Sequence, residues 1–403
     1  MNLRARWILF LLAPGAAAMA QDEELYISRD LTPPDEFKAI EGPAVSADGV
    51  LYAVNFQRRG TIGSVRADGQ AQLFLELADG SIGNGIRFDS HGAMLIADYA
   101  NHNVLRVDMA TTTIDTLAHE PGMNQPNDLA IGADDRVYAS DPNWGASTGQ
   151  LWRIDPDGSV GLLESGMGTT NGIEVSADER TLYVNESAQR NVWAYDLSAK
   201  GEVSAKRLLV RFDDFGMDGM RCDTQGNLYI TRHGKGTVAK VSPTGELLRE
   251  TQLTGQQPTN IAFGGPDGRT AYVTVNDRGN IETFRVETPG RSWALRASMV
   301  ATAVTDEQPI PVEFALGTAY PNPFNSSTVI PFRLSDSGEV TLTVYNLGGQ
   351  RVTRLVDGPY AGGGHAVTWA GTDDADRGVA SGVYFYRLQS GSRVETRKLL
   401  LLR

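Results

Sequence analysis

One strand start recurs six times in this chain, and it limits the possible folds more than any other feature. The copies are EGPAVSADGVLYA from Glu41, NGIRFDSHGAMLIA from Asn84, NDLAIGADDRVYAS from Asn127, NGIEVSADERTLYV from Asn171, DGMRCDTQGNLYIT from Asp218 and NIAFGGPDGRTAYV from Asn260. Successive copies begin 43, 43, 44, 47 and 42 residues apart. Each holds an alternating apolar run, an Asp/Gly-rich turn and a second apolar run, which is the pattern of a β-hairpin. Self-similarity at this period predicts one four-stranded propeller blade per repeat. The expected fold is therefore all-β, with a six-bladed β-propeller over residues 21–288. The sixth repeat runs out of strand after NIETFRVE, and LYISRDL at 25–31 is a strand candidate that can complete its outer edge. Closing the ring in this way removes an exposed sheet edge.

In a propeller the first strand of each blade lines the central channel, so the six first residues share one rim. All six carry side-chain oxygen: Glu41, Asn84, Asn127, Asn171, Asp218 and Asn260. A ring of oxygen donors without Cys or His suits a hard cation, Ca²⁺ before Mg²⁺ or Mn²⁺. The second strands return to the same rim, which adds Asn55, Asp98, Asp141, Asn185, His233 and Asn276 as candidates for substrate contact or metal support. Taken singly, an Asn-Gly or Asp-Gly pair reads as turn chemistry. Taken together that reading weakens, because Glu41 is not a turn residue. A buried Glu41–Asp218 pair on one narrow rim is also costly without a cation.

The net charge of −13 and isoelectric point near 4.9 exclude a nucleic-acid partner, which needs a basic face. The opening MNLRARWILFLLAPGAAAMA has two arginines, a short apolar run and Ala18-Met19-Ala20, and reads as a secretory signal peptide over residues 1–20. The single cysteine, Cys222, excludes an internal disulfide and reads as a buried, inert thiol. Gly145–Gly149 fits the spacing of a hydrolase nucleophile elbow. The residues after Ser147 read as a strand rather than the required helix, so the match is accidental. No zinc spacing, P-loop or dinucleotide fingerprint occurs.

Several of these segments carry a family resemblance: EGP at 41–43, PND at 126–128 followed by SDPNWG, TNG at 170–172, MDGM at 217–220 and PTNIAFGGPDGRTAYVT at 258–274. Residues 40–287 resemble the gluconolactonase family, which includes regucalcin (senescence marker protein) and, more distantly, diisopropyl fluorophosphatase. The resemblance implies a six-bladed propeller with one divalent cation, usually Ca²⁺, at one mouth of the channel. It carries the metal set over to Glu41, Asn127, Asn171 and Asp218, with Asp218 also the general base. Animal members have a lactone-contacting Arg two residues before the Asn of the ND pair, where this chain has Gln125, and that departure bears on the substrate. Asn84 and Asn260 stand in register with the ligands but outside that set. With Gln125, Asp141 and His233 they are the candidate substrate contacts. The implied activity is metal-assisted hydrolysis of lactones, sugar lactones first, with the cation polarising the carbonyl. The alternatives are an organophosphate-type ester hydrolase using the same metal, or a non-catalytic ligand-binding propeller, since the fold hosts both.

After residue 288 the pattern changes. Residues 289–316 lack a clean period and read as a linker. Short β runs with turn signals then fill residues 317–403, as in a small Ig-like antiparallel β-sandwich. YPNPFNSST at 320–328, VYNLGGQRV at 344–352, HAVTWAGTD at 365–373, ASGVYFYRL at 380–388 and the final RKLLLLR resemble the type IX secretion C-terminal sorting domain. They are also similar to the Ig-like domain of the flagellar hook-capping protein. The first resemblance implies a partner, the type IX secretion machinery, and a secreted or outer-membrane surface location in a Gram-negative bacterium. A monomer acting on a small lactone or ester is the expected state.

Overall fold

The computed structural model describes residues 24–78, 80–302 and, with short gaps, 314–402. The expected signal peptide lies outside the described residues. The chain divides into two compact units, Met1–Thr302 and Ala303–Arg403. Among the described residues, no helix is long and apolar enough to cross a membrane.

The first unit is built from six antiparallel four-stranded sheets, one per repeat. Their first strands are Phe37–Val45, Gly83–Phe88, Leu129–Ile131, Thr170–Val175, Met220–Cys222 and Pro258–Gly264. Each contacts the first strand of the next sheet, and that of the sixth contacts that of the first. The arrangement is propeller-like. In the sixth sheet the outermost strand is Arg29–Asp30, with Arg29 opposite Thr283 and Asp30 opposite Glu282. Leu31 N–H donates to the Ile281 carbonyl at 2.8 Å, and Arg278 Nη2 holds Asp30 at 2.8 Å.

Burial follows position in each sheet. Second strands such as Leu51–Phe56, Met94–Asp98 and Leu228–Arg232 are buried throughout, because both their faces are covered by neighbouring sheets. Fourth strands such as Ala71–Glu76 and Val203–Arg211 face solvent with much of their length. Burying each large aliphatic side chain of these interfaces contributes about 1.5–3 kcal/mol. Cys222 is buried as expected, with Sγ 3.4 Å from the Val175 carbonyl.

The glycines that follow the rim residues do not make turns. Gly42, Gly85, Gly172 and Gly219 lie where the next sheet's backbone or side chain packs against them. A Cβ at Gly42 would stand 1.8 Å from the Asn84 carbonyl oxygen, and one at Gly172 2.4 Å from that of Asp218. Gly85 N–H donates to Asn127 O at 2.7 Å and Gly219 N–H to Thr259 O at 2.6 Å. These pairs stitch adjacent sheets at the rim.

The segment read as a linker starts as part of the first unit. Residues Arg291–Thr302 form a helix, and Gly290 bridges Asp223. Trp293 packs on Gly268, and Arg291 is 3% exposed because it is the counter-ion of a buried carboxylate, Glu174. The helix has no strong apolar stripe, and its anchor is one charged residue, so no periodicity marked it.

Among the described residues, the second unit has two antiparallel sheets. One is ordered Ala315–Leu316, Thr328–Leu334, Gly363–Trp369. The other is ordered Arg351–Tyr360, Gly338–Asn346, Gly382–Ser390, Arg393–Leu401. Its core gathers Phe324, Phe332, Leu342, Trp369, Tyr386 and Leu388. The Trp369 indole N–H donates to the Thr372 carbonyl at 2.9 Å.

Candidate active site

A cavity of about 280 Å³ opens on the first unit where the first strands begin. Glu41, Asn84, Asn127, Asn171 and Asp218 all line it, each from a different repeat and in or just before its first strand. Asn55, Arg59, Tyr99, Trp144, His233 and Asn276 form much of the remaining wall. Glu41 and Asp218 are half-buried, while Asn127 and Asn171 are 6% and 3% exposed.

The two carboxylates are near enough for the charge of Glu41 to act on Asp218. Burial and the nearby Asp128 charge push Glu41 up to about 7, against the pull of the Gly42 N–H at 3.0 Å. Burial, then the charge of Glu41, raises Asp218 well above the usual carboxylate range. A hydrogen bond from Asn171 to Asp218 opposes that rise. Both carboxyls therefore titrate above the ordinary carboxylate range. The Asn171 amide donates from Nδ2 to Ser187 Oγ at 3.0 Å, and its buried Oδ1 has no hydrogen-bond partner. Two neighbouring carboxyl groups, an unpartnered amide oxygen and the adjacent Asn127 fit a hard divalent cation. Among the described residues no group of three or more Asp, Glu, His or Cys is placed to hold a metal ion; half of this donor set is carboxamide.

Backbone contacts lock the donors in place. Asn84 Nδ2 donates to the Asn127 carbonyl at 3.2 Å, Asn127 N–H to the Ser140 carbonyl at 2.8 Å, and Asn185 Nδ2 to the Asp218 carbonyl at 2.6 Å. Asn260 is 1% exposed and is not a wall residue. Its Oδ1 accepts from Ile261 N–H at 2.9 Å, and its side chain hydrogen-bonds Glu41, so it supports the site from behind.

Three further candidates, Asp98, Gln125 and Asp141, are placed elsewhere. Asp141 is fully buried, and its carboxylate accepts from Asn124 N–H at 2.8 Å, Gln125 N–H at 2.6 Å and Trp152 Nε1 at 3.0 Å. It holds the loop that precedes Asn127. Asp98 does the same in the second sheet, accepting from Ile82 N–H at 3.1 Å and Ser81 Oγ at 2.8 Å. These positions were expected at the rim because strand ends return there; their oxygens are taken up by loop amides instead. Gln125 is not a wall residue either. His233 is, and burial lowers its pKa, so its ring is neutral at pH 7.

A buried charge network beneath the cavity was missed in the sequence. Asp128 is fully buried and takes Arg221 Nη1 at 2.9 Å and Arg87 Nη2 at 3.3 Å. Arg221 Nε lies 3.9 Å from Glu174, and Glu174 takes Arg291 Nη1 at 3.2 Å. Burial alone would raise Asp128, but Arg221 and Arg87 hold it below the usual range. A signal was present: I-R-F, M-R-C and I-E-V each place one charge inside an apolar strand, in the second, fifth and fourth repeats.

Comparison with known proteins adds the following. Residues 40–277 match the SMP-30/Gluconolactonase/LRE-like region, and residues 324–393 match the FlgD Ig-like domain. Over 231 residues the chain is 29% identical to a gluconolactonase of Zymomonas mobilis, covering 51% of this chain and 64% of that protein. Over 152 residues it is 32% identical to a pentonolactonase of Haloferax volcanii, covering 37% of this chain and 52% of that protein. The chain thus spans between half and two thirds of the length of these relatives. The solved structure of a calcium-binding protein, regucalcin, from Agrobacterium tumefaciens superposes with a TM-score of 0.58 at 21% identity, covering 65% of this chain and 95% of that one. That likeness bears on the fold.

Proposed function

The chain belongs to the SMP-30/gluconolactonase/LRE-like family, and on that premise we propose that its first unit hydrolyses lactones, sugar lactones in particular. The observation that carries this reading is the convergence of Glu41 and Asp218 on one cavity floor with Asn127 and Asn171. Two relatives are named for lactone hydrolysis, one of gluconolactone and one of pentonolactone.

The six sheets read as six blades of one closed ring, with Glu41, Asn127, Asn171 and Asp218 as the residues that would hold a divalent cation, Ca²⁺ first. When bound, the cation supplies Lewis-acid polarisation of the lactone carbonyl and charge stabilisation of its developing oxyanion. Asp218 is the base that orients and deprotonates the attacking water, and the Asn171 hydrogen bond fixes the carboxylate for that task. Glu41 keeps the second negative charge at the floor. Tyr99 and Trp144 offer flat apolar faces in a wall otherwise rich in amides, which suits a polyhydroxylated ring. His233, neutral, accepts or donates without adding charge.

The second unit belongs to the FlgD Ig-like domains over residues 324–393. In our reading it carries a type IX sorting signal, so the protein is exported to the surface or medium as a monomer. The test of the catalytic proposal is a lactone panel followed by acid release, with chelator and with added Ca²⁺. Ca²⁺-dependent ring opening supports it. Binding of lactones without turnover would make the unit a non-catalytic receptor.

A further inference from the structure

We propose that Arg59 reads an anionic group on the substrate, so that this site takes lactones carrying a carboxylate or phosphate away from the ring carbonyl. The inference rests on the lactone-hydrolase reading and narrows its substrate class.

Arg59 lies on the short connection between the strands Leu51–Phe56 and Thr61–Val65 and lines the cavity. It is exposed at the cavity mouth. The loop that carries it is held firmly. Gly60 N–H donates to Asn55 Oδ1 at 3.2 Å, Thr61 Oγ1 reaches both the Phe56 and Arg58 carbonyls at 2.7 Å, and Gln57 N–H donates to Glu36 O at 2.9 Å. The neighbouring Arg58 is tied to Glu76. Arg59, among the described residues, makes no ion pair and no side-chain hydrogen bond.

It is also the wall's single fixed positive charge. The other charged wall groups are Glu41 and Asp218, and the chain as a whole carries −13. Among the protein's own wall groups, Arg59 is the one whose charge attracts an anion. A guanidinium gives a planar fork that matches a carboxylate or phosphate in two parallel hydrogen bonds. A neutral lactone leaves that fork unused. An exposed arginine with fixed backbone and free head group costs little to place and contributes only when an anion arrives.

The experiment compares kcat/KM for gluconolactone, glucarolactone and a phosphorylated gluconolactone in native protein, Arg59→Gln and Arg59→Lys, at low and high salt. Native protein is expected to favour one or both anionic lactones over gluconolactone by about tenfold to a hundredfold, the range of a charge-assisted hydrogen bond. The carboxylate and phosphate arms show which group is read. Arg59→Gln collapses that ratio, Arg59→Lys retains part of it, and high salt reduces it. Calorimetric binding of the corresponding open acids should show the same ordering. An equal ratio in native protein and Arg59→Gln, with gluconolactone still hydrolysed, overturns the role of Arg59 alone. Failure to open any lactone overturns the catalytic reading and this inference with it. Melting curves of the variants should match native, since Arg59 has no partner to lose.

Discussion

The carboxyl groups of Glu41 and Asp218, from the first and fifth repeats, line one cavity, and the charge of Glu41 raises Asp218. Nothing local brings them together; burial raises both, and the charge of Glu41 raises Asp218 further. An arrangement of this kind is unfavourable in the free protein and becomes favourable when a cation takes both charges.

Calcium should therefore stabilise the first unit by linkage. Its melting temperature should climb with Ca²⁺ concentration, because the ion binds the folded form alone. Glu41→Gln should shift that response to higher Ca²⁺, and Asp218→Asn should lose most of it. Melting curves on the three proteins, with calorimetric titration, measure this.

The same pair sets a pH dependence in chelator. The Glu41 carboxyl is pushed up to about 7 from 4.5, so between those values the folded protein holds a proton that the unfolded chain releases. The contribution is complete below pH 4.5 and is lost as pH rises through about 7. Asp218, also raised, acts in the same direction, while His233, lowered by burial, acts in the opposite one. Metal-free protein should lose stability from mildly acidic to mildly alkaline pH. Ca²⁺ should remove that loss, and Glu41→Gln should shrink it. Denaturant melts across the range provide the readout.

Much of this was legible in the sequence. The six repeats, the strand Arg29–Asp30 on the sixth sheet and the cavity placement of Glu41, Asn84, Asn127, Asn171 and Asp218 follow from period and register alone. Asp98 and Asp141 could not be separated from substrate contacts, because a loop-holding carboxylate and a ligand-facing one look alike at a strand end. The Asn-Gly pairs looked like turns, yet Gly85 and Gly172 are there to admit the next sheet. The helix Arg291–Thr302 was hidden because its anchor is a long-range ion pair.

That ion pair yields a stability prediction. Arg291→Met leaves the buried Glu174 short of its 3.2 Å partner and should destabilise the first unit by about 3 kcal/mol. Adding Glu174→Met should recover part of the loss, because both charges are then gone. Urea unfolding of the single and double variants tests the coupling.

The two units have separate cores, so a fragment of residues 21–302 should fold alone. It should keep its melting temperature and its lactone turnover, provided the helix Arg291–Thr302 is retained. Ending the fragment at residue 288 should lower stability by an amount similar to Arg291→Met. Calorimetric scans of the two fragments distinguish these outcomes.

The most direct test of the central claim is the lactone turnover of Asp218→Asn beside native protein, each with chelator and with saturating Ca²⁺. The account predicts that chelator abolishes native turnover, that Ca²⁺ restores it, and that Asp218→Asn stays about a hundredfold to ten-thousandfold slower even with Ca²⁺. Native turnover indifferent to chelator, together with an Asp218→Asn variant as fast as native, would contradict it.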